Sequence, residues 1–80
     1  MAAKLSVTIY STPYCAYCKM AKEFFKENDI SYNEIDVAEN TQAAQEMIRK
    51  SGQSGVPVIL ANNEVIVGFD KSALKRALKI

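Results

Sequence analysis

Apolar and polar positions change period several times along the chain, and each change marks an element. Leu5 to Tyr10 alternates, with Val7 and Ile9 inward, and reads as a buried strand that ends at the turn-forming Ser11, Thr12 and Pro13. From residue 15 to 28 the spacing becomes helical: Met20, Ala21, Phe24 and Phe25 recur on a core-facing stripe. Lys22, Lys26 and Glu27 face water, and Asn28-Asp29 stops the helix. Ser31 to Val37 alternates again around Tyr32, Ile35 and Val37 and predicts a second strand, parallel to the first across the helix. Asn40 or Thr41 caps a second helix through Ala43, Ala44, Met47 and Ile48 to a stop at Gly52. Pro57 to Ala61 and Glu64 to Val67 flank Asn62-Asn63 as a hairpin, and Asp70 caps a last helix with Leu74, Ala77 and Leu78 on one side. The predicted order is βαβαββα, an α/β fold without repeats, linkers or low-complexity tracts.

Composition narrows the function more than the fold. Eighty residues suffice for one domain, 1–80, with a modest core and no separate substrate domain. Ten basic and nine acidic side chains nearly cancel, and 49% of residues are apolar, so a soluble globular protein is expected, with no general attraction to nucleic acid or membrane. Lys71, Lys75, Arg76 and Lys79 complement the dipole of the last helix and form a solvated face. The longest apolar run, Val56 to Ala61, is too short to span a bilayer, and strand-like residues directly follow Met1 to Lys4. Neither export nor membrane insertion is expected. A reducing cytoplasm is the expected setting, and a monomer the expected state.

Cys15 and Cys18 are the two cysteines of the chain, separated by Ala16 and Tyr17 at the junction of the first strand and first helix. A three-residue offset on a helix puts both sulfurs on one face, close enough to form a disulfide with little rearrangement. Cys15 at the helix start meets unpaired backbone N–H groups and the positive end of the dipole, which favour a thiolate, the nucleophile of disulfide exchange. Lys4, Lys19 and Lys22 add positive charge, with no acidic residue before Glu23. Cys18, one turn inside, is expected to be less exposed and more thiol-like. Other uses of such a pair stay open at this point: a structural disulfide, which over so short a loop constrains the unfolded chain weakly, two inert buried thiols, or half of a metal site. Structural zinc takes four ligands, and a chain with no histidine and no second cysteine pair would have to borrow the rest, so no metal is expected.

The element order and three motifs together resemble the glutaredoxins, the smallest form of the thioredoxin fold. Cys15-Ala16-Tyr17-Cys18 is similar to the family's Cys-Pro-Tyr-Cys, Val56-Pro57 to its Val-Pro pair, and Gly68-Phe69-Asp70 to its Gly-x-Asp segment. The short bacterial and archaeal glutaredoxin-like proteins have similar endings. The resemblance implies a four-stranded mixed sheet flanked by three helices, a cis bond before Pro57, and a groove in which Val56 pairs with an extended thiol peptide. It also implies that the helix N-terminus at Gly68, Phe69 and Asp70 holds a carboxylate of glutathione, with Tyr17 and Gln53 lining the site and Lys19 or Lys71 as further donors. Tyr17 could equally pack the helix start, and Tyr14 shield the other side.

Departures from the family pattern bear on that groove. Thr12 stands where many glutathione-using members carry lysine, Gly55 where threonine usually precedes Val-Pro, and Val67 replaces the first glycine of a Gly-Gly pair. Ala16 in place of proline restores an N–H that could reach the Cys15 sulfur. The activity the resemblance implies is thiol–disulfide exchange. Cys15 attacks a protein disulfide or a glutathione mixed disulfide and Cys18 resolves the adduct, with glutathione as co-substrate and no bound cofactor. Two alternatives accompany it: a redoxin reduced by thioredoxin reductase that supplies ribonucleotide reductase, and a carrier of an iron–sulfur cluster held between two chains.

Overall fold

The computed structural model describes residues 7–80, so Leu5 and Ser6 of the expected first strand, and Lys4 among the expected positive charges, lie outside the described residues. The elements are β1 (Val7–Ser11), α1 (Ala16–Glu27), β2 (Asn33–Asp36), α2 (Thr41–Ser51), β3 (Val58–Ala61), β4 (Glu64–Val67) and α3 (Lys71–Leu78). They form one four-stranded sheet in the order β2-β1-β3-β4. β1 runs parallel to β2 and antiparallel to β3, which pairs with β4 as a hairpin, so the sheet is mixed as the resemblance implies.

Alternation along the central strands sorts the core into two layers. Val7 and Ile9 of β1, with Ile59 and Ala61 of β3, pack against Ala21, Phe24 and Phe25 of α1 and Leu74, Ala77 and Leu78 of α3. Tyr10 and Val58 point to the opposite face and meet Ala43 and Met47 of α2. Both faces of β1 and β3 are therefore covered. β2 and β4 are edges with half-polar faces, which is why β2 keeps only four residues of the longer alternating stretch.

Each helix starts as local chemistry dictates. Asn40 accepts from the Ala43 amide at 3.0 Å and Asp70 from the Ala73 amide at 3.1 Å, so Asn40 rather than Thr41 is the cap of α2. α2 stops at Gly52, whose φ of 77° is left-handed and costs a glycine nothing. α1 stops at Asn28, whose side-chain amide donates to the Phe24 carbonyl at 2.8 Å.

Two side chains placed on core stripes by periodicity lie at the surface. Met20 is 48% exposed and lines an open groove of about 180 Å³ with Phe24 and Phe69. Ile48 is 43% exposed, because four-stranded sheets present a narrow face to α2 and Ala43 with Met47 already fill it.

Candidate active site

β1 delivers the chain to the cysteines from the middle of the sheet. After Ser11 the strand ends, the Cys15 amide donates to the Thr12 carbonyl at 3.4 Å, and Cys15 takes extended torsions (φ −98°, ψ 113°) as the N-cap of α1. An N-cap side chain ordinarily offers oxygen to a free amide of the first turn. Here sulfur takes that place: Cys15 Sγ accepts from the Cys18 N–H at 3.1 Å. The amide reaching the sulfur is thus that of Cys18 and not that of Ala16, because a cap side chain reaches the amides of the second and third helical residues and Cys18 is the third.

The two thiols differ sharply in environment. Both are free cysteines, Cys15 partly exposed and Cys18 at 0% exposure. Burial pushes the Cys18 thiol up to about 12, with the neighbouring Cys15 sulfur adding to the shift and the Thr12 backbone and Lys22 ammonium opposing it. The inner thiol is less exposed than Cys15, as expected. The first turn of α1 holds no acidic side chain.

Sheet register brings the distant motifs to the same end of the molecule. Tyr10 pairs with Val58 and Val58 with Val67, so the β1–α1 loop, Pro57 and Gly68 leave neighbouring strands side by side. The Val56–Pro57 bond is cis, as the resemblance implies, and Pro57 is buried. The Gly68 amide donates to the Pro57 carbonyl at 2.8 Å. Val56 is half-buried against the smaller core layer, and among the described residues no hydrogen bond occupies its backbone N–H or C=O. Tyr14 and Tyr17 are exposed, at 91% and 62%.

The other candidate side chains, Lys19 apart, have partners of their own. Phe69 packs edge-on against Phe24, with ring centroids 6.1 Å apart, and belongs to the core margin. Lys71 lies over the Phe24 ring, 5.9 Å from its centroid. Gln53 is engaged locally: its Nε2 donates to the Gly55 carbonyl at 3.0 Å, and its Oε1 accepts from the Gly55 amide at 2.7 Å. A Cβ at residue 55 would stand 2.8 Å from that Oε1, the far end of a flexible side chain, and the glutamine would have to shift to admit it. Asp70 caps α3, as the sequence predicts. Among the described residues no ion pair or hydrogen bond fixes the exposed Lys19 side chain, since a residue adjacent to Cys18 points around the helix from it.

The cation that acts on Cys18 is Lys22, four residues on along α1. Its Nζ lies 2.8 Å from Glu34 Oε2, which also accepts from the buried Ser11 hydroxyl at 2.9 Å. That pairing raises Lys22 and lowers Glu34 from their usual values. Glu34 escaped sequence reasoning because its polar position in an edge strand carries no sign of a partner in α1. Among the described residues no group of three or more His, Cys, Asp or Glu side chains is arranged to hold a metal ion, and no helix is long and apolar enough to cross a membrane.

A family model described as glutaredoxin matches residues 7–66. The chain is 40% identical over 73 residues to an uncharacterized glutaredoxin-like 8.6 kDa protein of the rubredoxin operon in Clostridium pasteurianum, covering 91% of this chain and 97% of that one. It is 34% identical over 65 residues to glutaredoxin 3 of Escherichia coli, covering 81% and 78%. The fold superimposes on the glutaredoxin-like protein NrdH-redoxin of Escherichia coli with a TM-score of 0.80 at 25% identity, covering 89% of this chain and 92% of that one.

Proposed function

The chain belongs to the glutaredoxin family of thiol–disulfide oxidoreductases, and from that premise we propose that Cys15 is the attacking sulfur and Cys18 the resolving one. The observation that carries this reading is the hydrogen bond of 3.1 Å from the Cys18 amide to Cys15 Sγ. It gives the partly exposed sulfur a donor that strengthens when the sulfur is anionic, while the second thiol waits one turn behind in a protonated state.

The Cys15 thiolate attacks one sulfur of a substrate disulfide, forming a mixed disulfide and expelling the other sulfur as a thiolate. Cys18, losing its proton to solvent, then attacks the Cys15 sulfur and expels the substrate thiolate. Cys15 and Cys18 end oxidised as a disulfide and the substrate ends reduced. No histidine is required, because thiol exchange depends on the nucleophile and leaving group more than on a positioned base. The groove beside Cys15 takes extended peptide. The unused backbone of Val56 supplies ladder partners, and the Lys71 and Ser72 amides at the start of α3 supply donors for a carboxylate. Glutathione fits both features and serves as the reductant, in a reducing cytoplasm where the pair cycles between thiol and disulfide.

One observation favours a second electron donor. The Gln53 amide is closed on Gly55 and Thr12 supplies no ammonium, which leaves a glutathione carboxylate with fewer partners at that side of the groove. The structural neighbour NrdH-redoxin is described as having a thioredoxin-like activity profile. On this reading thioredoxin reductase reduces the Cys15–Cys18 disulfide, and the electrons pass to an enzyme such as ribonucleotide reductase. The test is consumption of NADPH by the oxidised protein with glutathione plus glutathione reductase, against thioredoxin reductase alone. Turnover in the first mixture supports glutathione, turnover confined to the second supports the alternative, and turnover in neither overturns both.

A further inference from the structure

The exchange needs Cys18 as a thiolate, yet the sulfur is buried and burial holds its proton tightly. Something must make the anion affordable at the moment of the second displacement. Lys22 follows Cys18 by four residues on α1, the spacing that stacks two side chains on one helical face. Its ammonium is held by Glu34 Oε2 at 2.8 Å, and the same oxygen accepts at 2.9 Å from Ser11, a hydroxyl with 1% exposure at the end of β1. The lysine is thereby fixed between α1 and β2 instead of sweeping through solvent, which for a long flexible side chain is the default.

We propose that Lys22 is a positioning residue for the second displacement: its ammonium, anchored by Glu34 and Ser11, stabilises the Cys18 thiolate as that sulfur attacks Cys15. The inference rests on the reading of Cys18 as the resolving thiol. The charged and titratable groups around the pair are, among the described residues, these. Cys15 and Lys22 face Cys18 from α1 and its cap, Glu34 and Tyr32 face Lys22 from β2 and its approach, and Lys26 faces Glu34 from the next turn of α1. Of these, Lys22 is the cation that acts on Cys18 in the direction of the thiolate. It does so without accepting the proton, which goes to solvent. The bond that breaks joins Cys15 to the substrate sulfur, and its electron pair leaves with that sulfur while the Cys15–Cys18 bond forms.

Reaction of the reduced protein with one equivalent of dithiobis(nitrobenzoate) separates the two displacements. The first nitrothiolate is released when Cys15 attacks the reagent, and the second when Cys18 displaces it from Cys15. In Lys22→Met the first phase keeps its rate, and the second slows about three- to tenfold near neutral pH, a modest effect because the ammonium is shared with Glu34. Raising the salt concentration slows the second phase of the parent protein and leaves that of Lys22→Met unchanged, as expected of a charge effect and not of lost packing. Lys22→Arg restores most of the rate. Glu34→Gln keeps an acceptor oxygen for both donors while removing the opposing charge, so its second phase is no slower than the parent's. An unaltered second phase in Lys22→Met, or a Glu34→Gln protein slowed as much as Lys22→Met, overturns the inference. A second release that persists in Cys18→Ser overturns instead the assignment of Cys18 as resolving thiol.

Discussion

The Gly68 amide donates to the Pro57 carbonyl at 2.8 Å, tying the segment that enters β3 to the segment that leaves β4. The bond extends the hairpin register one step past the Val58–Val67 pair, so the segment leading into α3 sets out from beside Pro57. Two motifs eleven positions apart in sequence thus form one wall.

Gly68 makes this bond with φ at 79°, a region where a side chain is penalised by its own backbone although no neighbour lies within 4 Å of an added Cβ. Gly68→Ala is therefore expected to cost about 1–2 kcal/mol through torsion alone. Urea unfolding should show a lower midpoint with an unchanged slope, and the melting temperature should fall by roughly 5–15 °C. A melting temperature equal to the parent's would contradict the left-handed assignment.

Difference in burial predicts selective chemistry. Iodoacetamide added to the reduced, folded protein should label Cys15 and spare Cys18, which has 0% exposure, and both should react once the chain is unfolded. Peptide mass spectrometry reads the outcome directly. Equal labelling of the two in the folded protein would show that the inner thiol is open to solvent.

The two serine variants should part company. Cys15→Ser is expected to lose turnover on every disulfide substrate, by at least about a thousandfold, because the other thiol of the chain, Cys18, is buried. Cys18→Ser should lose reduction of protein disulfides yet keep exchange with glutathione mixed disulfides, where a second glutathione resolves the adduct. Coupled assays on an insulin disulfide and on a glutathionylated peptide distinguish these routes.

The Lys22–Glu34 pair makes stability depend on pH at both ends of the range. Glu34 is held below its usual value of 4.5, so its contribution is present above that value and is lost as pH falls through the lower folded one. Lys22 is held above 10.5, so its contribution is present below that value and is lost as pH rises through the higher folded one. With the two side chains 25% and 41% exposed, solvent screens the pair, and the effect is under about 1 kcal/mol. Urea midpoints from acidic to neutral pH should fall less steeply on acidification in Glu34→Gln than in the parent. Parallel curves would show that the pair contributes nothing.

Much of this architecture could be read along the chain because local signals and tertiary packing agree. The alternation at Val7 and Ile9, the caps at Asn40 and Asp70, and the Asn62-Asn63 turn each reappear in three dimensions. The Asn pair takes positive φ at both residues, 50° and 72°, as a tight hairpin turn demands. Periodicity overreached at Met20 and Ile48, since an apolar position one step beyond a stripe looks identical in sequence whether or not the sheet is wide enough to cover it. The sulfur pair was legible from spacing, whereas its surroundings were not. That Gln53 closes on Gly55, that Phe69 turns to Phe24, and that Glu34 gathers Lys22 with Ser11 all depend on how segments meet after folding.

β1 occupies an interior place in the sheet, bonded to β2 on one side and β3 on the other and covered by helices above and below. The cysteine loop therefore leaves a strand that is paired on both edges and packed on both faces, a post anchored from four sides. Drift in the outer strand or in the far ends of the helices can alter durability while leaving the post where it stands. By the same logic the exposed side chains beside the cysteines, Tyr14 and Tyr17 foremost, can change without rebuilding the frame beneath.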